Sequence, residues 1–514
     1  MNALVKIMGR TGEINPLKKY DFLVVGSGFG GSITAMGLAK IGYRVLLLER
    51  NKHPRFAVGE SSTPIADMVL RNLSDEYNLP FLKQLSRYGE WQKHHPEVTC
   101  GLKRGFSYYN HKAGEPFSSD GFHSNELLVA ASENNYNSDT NWLRSDVDHF
   151  LVKQLAGIGV DYLDKTHISD VKKIDDNEWM VHADSQSSPM KTVCKWIVDA
   201  TGSPKFSQKY LGTSCSSDSF QTNSTAVFSH FQGAGSWHDY LKSKGLHTAD
   251  YPYNPDHSAL HHIIEEGWMW MLRFNNDLLS AGILFDGGFN QPVKNAGSIW
   301  RDVLQKYPSL YSIFKQAELA AIPGDWIKTG RLQRRLDKIY GNGWVALNHT
   351  AGFVDPMHST GIAHTLTGVE KILKIFSSNI RYESVKSNLT IIQDEYFNEM
   401  SFIDLLVSSV YHSKNDFSLF RASVMLYFIA SIRYEQSRLK GRVPPTFLCA
   451  GDDSLYQMIM ECHSDIKRYR ENHGDKEQAA ELVHSIQEKI KPYNSVGLMD
   501  PEKNNMYEHT AVSL

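Results

Sequence analysis

Apolar and polar residues near the start of the chain follow the order of a β-α-β unit. An apolar run over residues 22–25 predicts a strand, and apolar residues at helical spacing up to Ile41 predict a helix. A second apolar run over residues 45–48 predicts another strand. Two strands joined by one helix are expected to lie parallel in a sheet, which indicates a Rossmann-like fold.

Three glycines stand where the first strand meets the helix. Gly26, Gly28 and Gly31 form a GxGxxG pattern, and Glu49 follows the second strand. Glycines permit a tight turn against a pyrophosphate, the helix start offers N–H groups, and the acid can accept from a ribose hydroxyl. The pattern predicts an ADP-containing dinucleotide without choosing between NAD and FAD. The alternative is a glycine-rich turn that binds nothing.

Two connections have the composition of ligand-lining loops. Residues 58–64, which we call the strap, are small and turn-prone and precede a helix. Residues 341–362 run from a strand through a polar loop, which contains Asp355 and Ser359, into a helix that opens at Gly361. Such a helix start suits a small anion or a flavin ring. The alternatives are an ordinary connection and a capped helix start without a ligand.

Two predicted strands carry side chains of chemical interest. Residues 100–110 are apolar and aromatic around Lys103, and residues 267–274 place Trp268 and Trp270 on one face of a hairpin. Taken alone, a lysine in a strand is more often on a solvated face, and paired tryptophans are more often core.

The middle of the chain gives weaker signals. A helix is predicted over residues 146–155 with Ser145 or Asp146 as its N-cap, and two short strands follow between residues 160 and 183. Residues 233–255 lack periodicity and are predicted to be irregular.

A further apolar strand begins at Trp196 and ends at Asp199, with Gly202 in the turn that follows. The backbone there could contact a nucleotide, although a strand followed by a glycine turn is also common where no ligand binds.

The last third of the chain reads as mainly helical. Phe420, Val424, Tyr427 and Phe428 share one face of a predicted amphipathic helix, with Glu435 among the residues elsewhere on the wheel. Such a helix would pack on the body and could close one side of a substrate cavity. The tail beyond residues 477–491 is polar and is predicted to fray.

Composition narrows the class of protein. The chain has 514 residues and a formal net charge of -3, from 54 basic and 57 acidic residues, so no general attraction to nucleic acid is expected. Its five cysteines form no CxxC pair, which predicts free thiols in a reducing compartment and no metal site. Residues 1–19 lack the apolar core of a signal peptide, and no apolar run approaches a membrane span. We therefore predict a cytoplasmic protein.

The glycine fingerprint, the Asp199-Ala-Thr-Gly202 strand end and the loop of residues 351–356 together resemble the FAD-binding fold of aromatic hydroxylases and flavin-dependent halogenases. Four features are similar to the halogenase branch: the N-terminal GxGxxG, Lys103 in a Lys-x-Gly-Phe setting, Gly267-Trp-x-Trp270, and Ser359-Thr-Gly-Ile362. The resemblance covers most of the first 375 residues. It favours functional roles for Lys103 and the two tryptophans over the solvated face and the core packing described above.

This resemblance implies an α/β (α+β) fold, with a Rossmann-like FAD-binding domain, an inserted mainly β substrate-side sheet and a C-terminal helical region. The implied FAD part covers residues of about 18–75, 143–205 and 330–377. The substrate-side sheet covers about 100–142 and 206–329, and the helical region 378–514.

The resemblance also implies a site. Lys103 and His358 would be catalytic, Ser359, Thr360 and Gly361 would bind halide, and Trp268 and Trp270 would form a barrier between flavin and substrate. The implied FAD-binding residues are Gly26, Gly28, Phe29, Gly30, Gly31, Glu49, Arg50, Gly59, Glu60, Ser61, Ser62, Arg144, Asp199, Gly202, Asp355, Gly361 and Ile362.

In such enzymes FADH2, oxygen and chloride or bromide yield hypohalous acid, which a lysine delivers to an electron-rich ring of phenol, pyrrole or indole type. A separate NAD(P)H-dependent flavin reductase would be the partner, because no second nucleotide fingerprint is visible. The substrate would be a small aromatic, free or tethered to a carrier protein.

Three departures from the family pattern matter. His358 stands where indole-acting members have glutamate, which puts tryptophan in doubt as a substrate and leaves the histidine as a base toward a phenolic hydroxyl or as a structural residue. Leu347-Asn-His-Thr350 replaces Gly-Asp-Ala beside the flavin, and Met271-Leu-Arg-Phe274 replaces Ile-Pro after the second tryptophan. The alternative functions are a flavin monooxygenase or oxidoreductase of the same fold and a non-catalytic FAD-binding protein.

Overall fold

The computed structural model describes residues 18–185, 188–287, 295–378 and 382–510. The first 17 residues, which bear on the expected lack of a signal peptide, lie outside these ranges. In chain order the strands are β1 (Lys19–Val25), β2 (Val45–Leu48), β3 (Cys100–Lys103), β4 (Gly105–Asn110), β5 (Glu126–Ala130), β6 (Asp139–Trp142), β7 (Asp161–Leu163), β8 (Thr166–Lys173), β9 (Trp179–Ser185), β10 (Ser188–Asp199), β11 (Cys215–Ser216), β12 (Ser224–Gln232), β13 (Ala259–Ile264), β14 (Gly267–Arg273), β15 (Leu279–Asp286), β16 (Glu318–Leu319), β17 (Ile327–Lys328), β18 (Arg334–Leu336), β19 (Tyr340–Gly341), β20 (Trp344–Ala346), β21 (Gly352–Phe353) and β22 (Met506–Tyr507).

The α-helices are α1 (Phe29–Ile41), α2 (Pro64–Tyr77), α3 (Pro80–Gln84), α4 (Tyr88–His94), α5 (Arg144–Ile158), α6 (Lys205–Tyr210), α7 (Trp237–Ser243), α8 (Ala296–Leu304), α9 (Pro308–Phe314), α10 (Asn348–Ala351), α11 (Thr360–Ser377), α12 (Tyr382–Ser413), α13 (Phe417–Leu439), α14 (Asp453–Glu471) and α15 (Lys476–Ile490). Short 3₁₀ turns cover Pro255–His257, Phe447–Cys449 and Pro501–Lys503.

The first sheet confirms the Rossmann-like prediction. Its order is β19-β20-β10-β1-β2-β7, and the strands from β20 to β7 pair in parallel. β1 and β2 are buried on both faces, as expected for strands covered by helices on either side. The carboxyl ends of β1 and β10 therefore meet at one edge, beside the start of α1.

A second, mostly antiparallel sheet forms the layer that was predicted to lie on the substrate side. It runs β16-β12-β15-β14-β13-β4-β5-β22, and β14 and β15 form the predicted hairpin with both tryptophans on one face. A separate two-stranded pair, β3 and β6, lies beside it. The helices α12 to α15 follow and pack on one another and on α11 and α2. The fold class is thus the predicted mixture of a Rossmann-like part, a β layer and C-terminal helices.

Three strands, β7, β8 and β9, lie between residues 161 and 185, where two were predicted, and four other local predictions were also wrong. Residues 100–110 form two strands because Arg104 leaves the β3–β6 pairing and donates its N–H to the carbonyl of His257. Helix α5 begins at Arg144 after Leu143, without a side-chain cap. Residues 233–255 contain α7, whose N-cap Ser236 accepts from the N–H of Asp239.

The C-terminal tail is the fourth correction. The strand β22 pairs in parallel with β5, and the N–H of Thr510 donates to the carbonyl of Ala130 at 3.0 Å. Backbone hydrogen bonds thus hold residues that polarity alone assigned to a frayed end.

The cysteines and the helices bear on two other expectations. All five cysteines are free thiols in this structure. Among the helices of the described ranges, none combines the length and apolar character that a membrane span needs.

An ion pair ties the C-terminal helices to the core. Arg438 of α13 is 8% exposed and donates two hydrogen bonds to the Glu370 carboxylate of α11, at 2.7 and 3.0 Å. Because such bidentate geometry is lost with the guanidinium and a largely buried carboxylate is left behind, Arg438→Ala should destabilise the protein by about 3 kcal/mol. The urea midpoint of unfolding measures this.

Arg468→Ala is the matched control, since the Arg468–Asp465 pair at 3.3 Å is exposed and should contribute less than about 1 kcal/mol. Equal midpoints for the two variants would contradict a stabilising role for the Arg438–Glu370 pair.

Candidate active site

The turn between β1 and α1 is closed by backbone contacts that exclude side chains. Gly26 has φ 101°, and a Cβ there would lie 2.6 Å from the carbonyl oxygen of Ala200. A Cβ on Gly31 would lie 2.0 Å from the carbonyl oxygen of Gly26. The fingerprint glycines therefore make the tight turn that their spacing predicts.

Glu49 is buried behind this turn. Its carboxylate accepts from the backbone N–H of Ser27 at 3.0 Å and of Asn51 at 2.9 Å, and Arg55 donates to it at 3.3 Å. Burial opposes ionisation, but the charge of Arg55 and these hydrogen bonds outweigh it and hold the pKa of Glu49 below its ordinary value. The acid is therefore ionised at neutral pH.

Arg144 draws the strap over the start of α1. Its guanidinium donates to the carbonyls of Val58 and Gly59 at 3.0 and 3.1 Å and pairs with Asp148 at 2.9 Å. It lies 4.7 Å from the ring centroid of Phe29, and the N–H of Phe29 donates to Asp148. The structure thus brings together predicted residues from three separate segments.

These residues fit an FAD. Gly28, the cap residue of α1, has no capping side chain, and a Cβ there would lie 3.4 and 3.9 Å from guanidinium nitrogens of Arg144 and Arg55 and 3.8 Å from the Asp148 carboxylate. Among the N–H groups at this described helix start, Asp148 accepts only from that of Phe29, so a helix start beside two arginines still suits a pyrophosphate, and ionised Glu49 suits a ribose hydroxyl. Gly30 belongs to the same turn, and its missing Cβ gives room to the methyl group of Thr365.

Other predicted cofactor residues make different contacts. Asp199 is buried and accepts from Thr201 and Ser207, and burial raises its pKa to about 6. Gly202 donates its N–H to Thr350 at 2.9 Å. Arg50 is exposed.

Glu60, another of the predicted cofactor residues, lies in the strap. It is buried and pairs with His230 of β12 at 2.7 Å. Its carboxylate therefore faces the β layer.

The loop of residues 355–361, which we call the halide loop after its predicted ligand, leads into a helix start without a side-chain cap. Ser359 has φ 52° and does not cap α11, and among the described residues a Cβ on Gly361 would meet no atom within 4 Å. The first turn of this helix therefore lacks a side-chain cap and has open space beside Gly361. The Ile362 side chain lies in the core, so only its backbone is available there.

The strap joins the halide loop to Lys103. Ser359 Oγ donates to Ser61 Oγ at 3.0 Å, and the carbonyl of the next residue, Ser62, accepts a short hydrogen bond from Lys103 Nζ. Lys103 is fully buried, with its Nζ 4.1 Å from the ring centroid of Phe106. Burial lowers the pKa of Lys103 to about 8, although Asp139 and Asp67 oppose that change.

His358 is a buried imidazole whose ring nitrogens are not fully satisfied. It is 1% exposed, and within the described part of the chain neither ring nitrogen makes a hydrogen bond of good geometry, although the backbone of Leu406 lies near enough to favour the protonated ring. Its ring stacks on Tyr427 of α13 with centroids 4.5 Å apart. Burial lowers the pKa of His358 to about 3, so the ring is neutral and able to bond a polar group of a ligand.

Trp268 and Trp270 lie side by side on β14 with ring centroids 6.2 Å apart. Both are nearly fully buried. Trp268 packs against His261 at 5.0 Å, and His261 in turn stacks near Phe106, the ring beneath Lys103. An unbroken row of rings therefore leads from the tryptophans to the lysine.

A hydrogen-bond relay fixes the first tryptophan to the halide loop. Trp268 Nε1 donates to Tyr411 Oη at 2.9 Å, and Tyr411 donates to Asp355 at 2.9 Å. Ser224 also donates to Asp355, at 2.6 Å. Burial raises the pKa of Asp355 to about 7. Asp355 thus acts here through Tyr411, a residue that the sequence patterns did not single out.

Sequence reasoning also missed three buried acids, Asp67, Asp139 and Glu435. Glu435 was assigned away from the apolar face of its helix, yet it is 5% exposed, because α13 is buried on nearly all sides. Burial raises the pKa of Glu435 to about 8. The spacing of Tyr427, Ser431 and Glu435 at i, i+4 and i+8 was the available signal, since it places them on one helix face.

A separate group of polar side chains lies away from this site. His123, His247 and Asp250 bring ligand atoms within 4.8 Å of one another, and Glu126 bonds the other nitrogen of His123. The expected absence of a metal stays a prediction.

Comparison with known proteins places this geometry in context. A model described as tryptophan halogenase matches residues 252–423, and one described as an NAD(P)-binding Rossmann-like domain matches residues 24–70. A monodechloroaminopyrrolnitrin halogenase of Pseudomonas fluorescens is 25% identical, over 91% of this chain and 84% of its own length. A tetracycline 7-halogenase of Kitasatospora aureofaciens is 26% identical, over 68% of this chain and 61% of its own length.

Solved structures show the same fold. The crystal structure of halogenase PltM in complex with phloroglucinol and FAD aligns with a TM-score of 0.82 and 24% identity, over 95% of this chain and 99% of that one.

The second tryptophan depends on the glycine that faces it across the sheet. Gly282 pairs with Trp270, and a Cβ there would lie 2.1 Å from the indole ring. Gly282→Ala should therefore displace the ring and destabilise the protein by about 1–3 kcal/mol. Thermal unfolding and tryptophan emission measure the two effects.

Gly157→Ala is the matched control, because a Cβ at this helical position meets no described atom within 4 Å and alanine favours a helix. Identical emission spectra and stability for both variants would contradict the tight packing of Trp270.

Proposed function

We propose that this FAD-dependent halogenase makes hypohalous acid beside its flavin, relays it to Lys103, and halogenates an electron-rich aromatic substrate, most readily a phenol. The similarity to named halogenases over most of the chain supports the reaction class. The observation that carries the relay is the fully buried Lys103, which the strap connects to the halide loop.

Bound as FADH2, the cofactor would supply the two electrons that, with oxygen and halide, yield hypohalous acid. The chain would hold it through the β1–α1 turn, Arg144, the strap and Glu49. The open first turn of α11 at Thr360 and Gly361 would hold chloride or bromide with N–H groups and the positive end of the helix dipole.

The tryptophan pair would keep the two chemical steps apart. Trp268 and Trp270 are buried and anchored by hydrogen bonds to Tyr411 and Ser280. A rigid aromatic wall excludes a substrate ring from the flavin while a small oxidant passes. Excluding competing reactions in this way is the protein's part in cofactor chemistry.

The substrate side favours a phenol. Among the described residues, neither ring nitrogen of His358 makes a hydrogen bond of good geometry, and only the backbone of Leu406 lies near. A buried polar group without a full hydrogen bond is costly unless a ligand satisfies it. As a neutral imidazole, His358 would accept a hydrogen bond from a phenolic hydroxyl without taking the hydroxyl proton. The phloroglucinol complex of PltM, a structural neighbour, is consistent with this class.

Two further parts of the proposal rest on the sequence and its relatives. A separate flavin reductase would supply FADH2 by diffusion in the cytoplasm. Relatives named as halogenases of 1H-pyrrole-2-carbonyl-[peptidyl-carrier protein] keep a carrier-tethered substrate open.

One assay tests the reaction class. Purified protein is supplied with FAD, a reductase, oxygen, and chloride or bromide, and phenols, pyrroles and indoles are analysed by mass spectrometry. Halogenated product that requires halide supports the proposal. Hydroxylated product without halide would establish a monooxygenase, and bound FAD without any turnover would establish a binding protein.

Removal of the lysine should separate oxidant formation from its use. Lys103→Ala should retain FAD and still release oxidant to a soluble 1,3-diketone trap, while halogenated phenol falls at least 100-fold, because the delivering group is lost. Lys172→Ala, at an exposed lysine of β8, is the control and should behave as wild type. Retained product in Lys103→Ala would show that another residue delivers the halogen.

His358→Phe tests the substrate class. Phenylalanine keeps the stack on Tyr427 but removes both nitrogens, so the rate with a phenol should fall about tenfold, the worth of one hydrogen bond near 1.4 kcal/mol. The rate with the methyl ether of that phenol should change little. Equal losses on both substrates would mean that His358 has a structural role only.

A further inference from the structure

Lys103 belongs to a buried cluster of polar side chains, which we call the chamber and define by Ser62, Thr63, Asp67, Lys103, Asp139 and Asn141. Each of these residues is at most 4% exposed. Asp139 faces Lys103 across the β3–β6 pair, and Asn141 follows on the same face of β6. The strap and the first turn of α2 cover that face, since Lys103 Nζ donates to the carbonyl of Ser62 and Asp67 acts on Lys103 through its charge.

The chamber is unusually rich in polar atoms without partners. Among the described residues, no hydrogen bond reaches Ser62 Oγ, Thr63 Oγ1, Asp67 Oδ1, Asp139 Oδ2 or either side-chain atom of Asn141. Buried polar atoms are normally paired, so this many in one place point to a small polar occupant. Hypohalous acid and water both have that size and polarity.

Neither carboxyl closes an ion pair with the lysine. Within the described ranges, Lys103 Nζ has no carboxylate oxygen within 4.0 Å, although Asp139 and Asp67 both interact with it electrostatically. Burial, together with their mutual repulsion, raises the pKa of Asp67, and burial likewise raises that of Asp139. The three groups thus compete for protons across the space that the occupant would fill.

Other charged and titratable groups near the chamber come from four different parts of the chain. His261 of β13 faces Lys103 and is neutral, since burial lowers its pKa to about 3. Arg87, before α4, acts on both aspartates, and Arg71 of α2 acts on Asp67. Glu435 of α13 lies close enough for Asp139 to raise its pKa further. The two aspartates are therefore the acids that act directly on the lysine.

We propose that Asp139 and Asp67 are positioning residues that keep Lys103 able to exchange its proton at neutral pH, so that it holds hypohalous acid as an ammonium and takes its halogen as an amine. This inference rests on the proposed function of Lys103. Burial alone would make the lysine a permanent amine, and two full carboxylates in contact would make it a permanent ammonium.

The transfer balances without another reactant. In the first step the N–X bond forms and the X–O bond breaks with its electron pair on oxygen, which takes an N–H proton and leaves as water. In the second step the ring carbon bonds the halogen, and the N–X bond breaks with its pair on nitrogen. The ring proton then returns to that nitrogen. The two-electron oxidising equivalent passes from hypohalous acid to the haloamine and then to the ring carbon.

The test follows the yield of halogenated phenol per oxidant formed, as a function of pH. In the wild type this yield should fall on the acid side as the amine is protonated. Asp139→Asn removes a negative charge that favours the ammonium, so the pKa of Lys103 falls and the acid limb should move to lower pH by about one unit. Asp67→Asn should move it in the same direction from a different element, which covers the case in which one variant fails to fold.

Asp75→Asn is the matched control, since Asp75 is an exposed acid of the same helix α2 that pairs with Lys83 at 3.6 Å. Its profile should match the wild type. An acid limb that stays in place in both test variants, or moves to higher pH, would overturn the inference. So would a shift confined to the basic limb, because the lysine would then act only as an ammonium.

Lys103→Ala, measured in parallel, separates this inference from the proposed function. Loss of yield in Lys103→Ala with unmoved profiles in the aspartate variants rejects only the positioning role. Retained yield in Lys103→Ala rejects the relay itself, and the positioning role with it.

Discussion

The hydrogen bond from the buried Lys103 ammonium to the Ser62 carbonyl is the contact around which the site is arranged. A lysine without solvent is costly, and the strap compensates part of that cost with a single backbone acceptor. The same strap is held by Arg144, which donates to the carbonyls of Val58 and Gly59, and by Ser359, whose hydroxyl donates to that of Ser61. The position of the lysine relative to the Rossmann-like part is therefore set by the hydrogen bonds of the strap.

The C-terminal helices complete the enclosure. Helix α13 places Tyr427 on His358 and buries Glu435, while α12 supplies Tyr411 to the relay between Trp268 and Asp355. Without these helices the aromatic wall and the imidazole would face solvent. Because this enclosure excludes water, each electrostatic interaction inside it is stronger. The enclosure also suits a small, indiscriminate oxidant, which would otherwise react with whatever it met.

Sequence patterns predicted the elements that depend on interactions between residues close together in the chain. The strand, glycine turn and helix from β1 to β2 follow from residues 22–49 because periodicity and glycine conformation act over a few residues. The hairpin of Trp268 and Trp270 follows for the same reason. The resemblance to halogenases then gave meaning to Lys103, which strand periodicity alone assigned to a solvated face.

The remaining features arise from contacts between distant segments. Asp67 and Asp139 come near Lys103 only after α2 and β6 have assembled around it. Glu435 was assigned to a solvent-facing side of its helix because local spacing does not show that α13 is buried on nearly all sides. The tail of residues 501–510 looked unstructured because its partner, β5, lies almost 380 residues earlier in the chain. Tertiary pairing of this kind overrides local composition.

The central claim is that oxidant is made at the flavin and used at Lys103, with the tryptophan pair between the two places. A crystal structure of the protein with FAD and a bound phenol tests this most directly. We predict that the phenol ring lies on the side of Lys103 and His358, with Trp268 and Trp270 separating it from the flavin. A phenol ring in direct contact with the flavin would contradict the account.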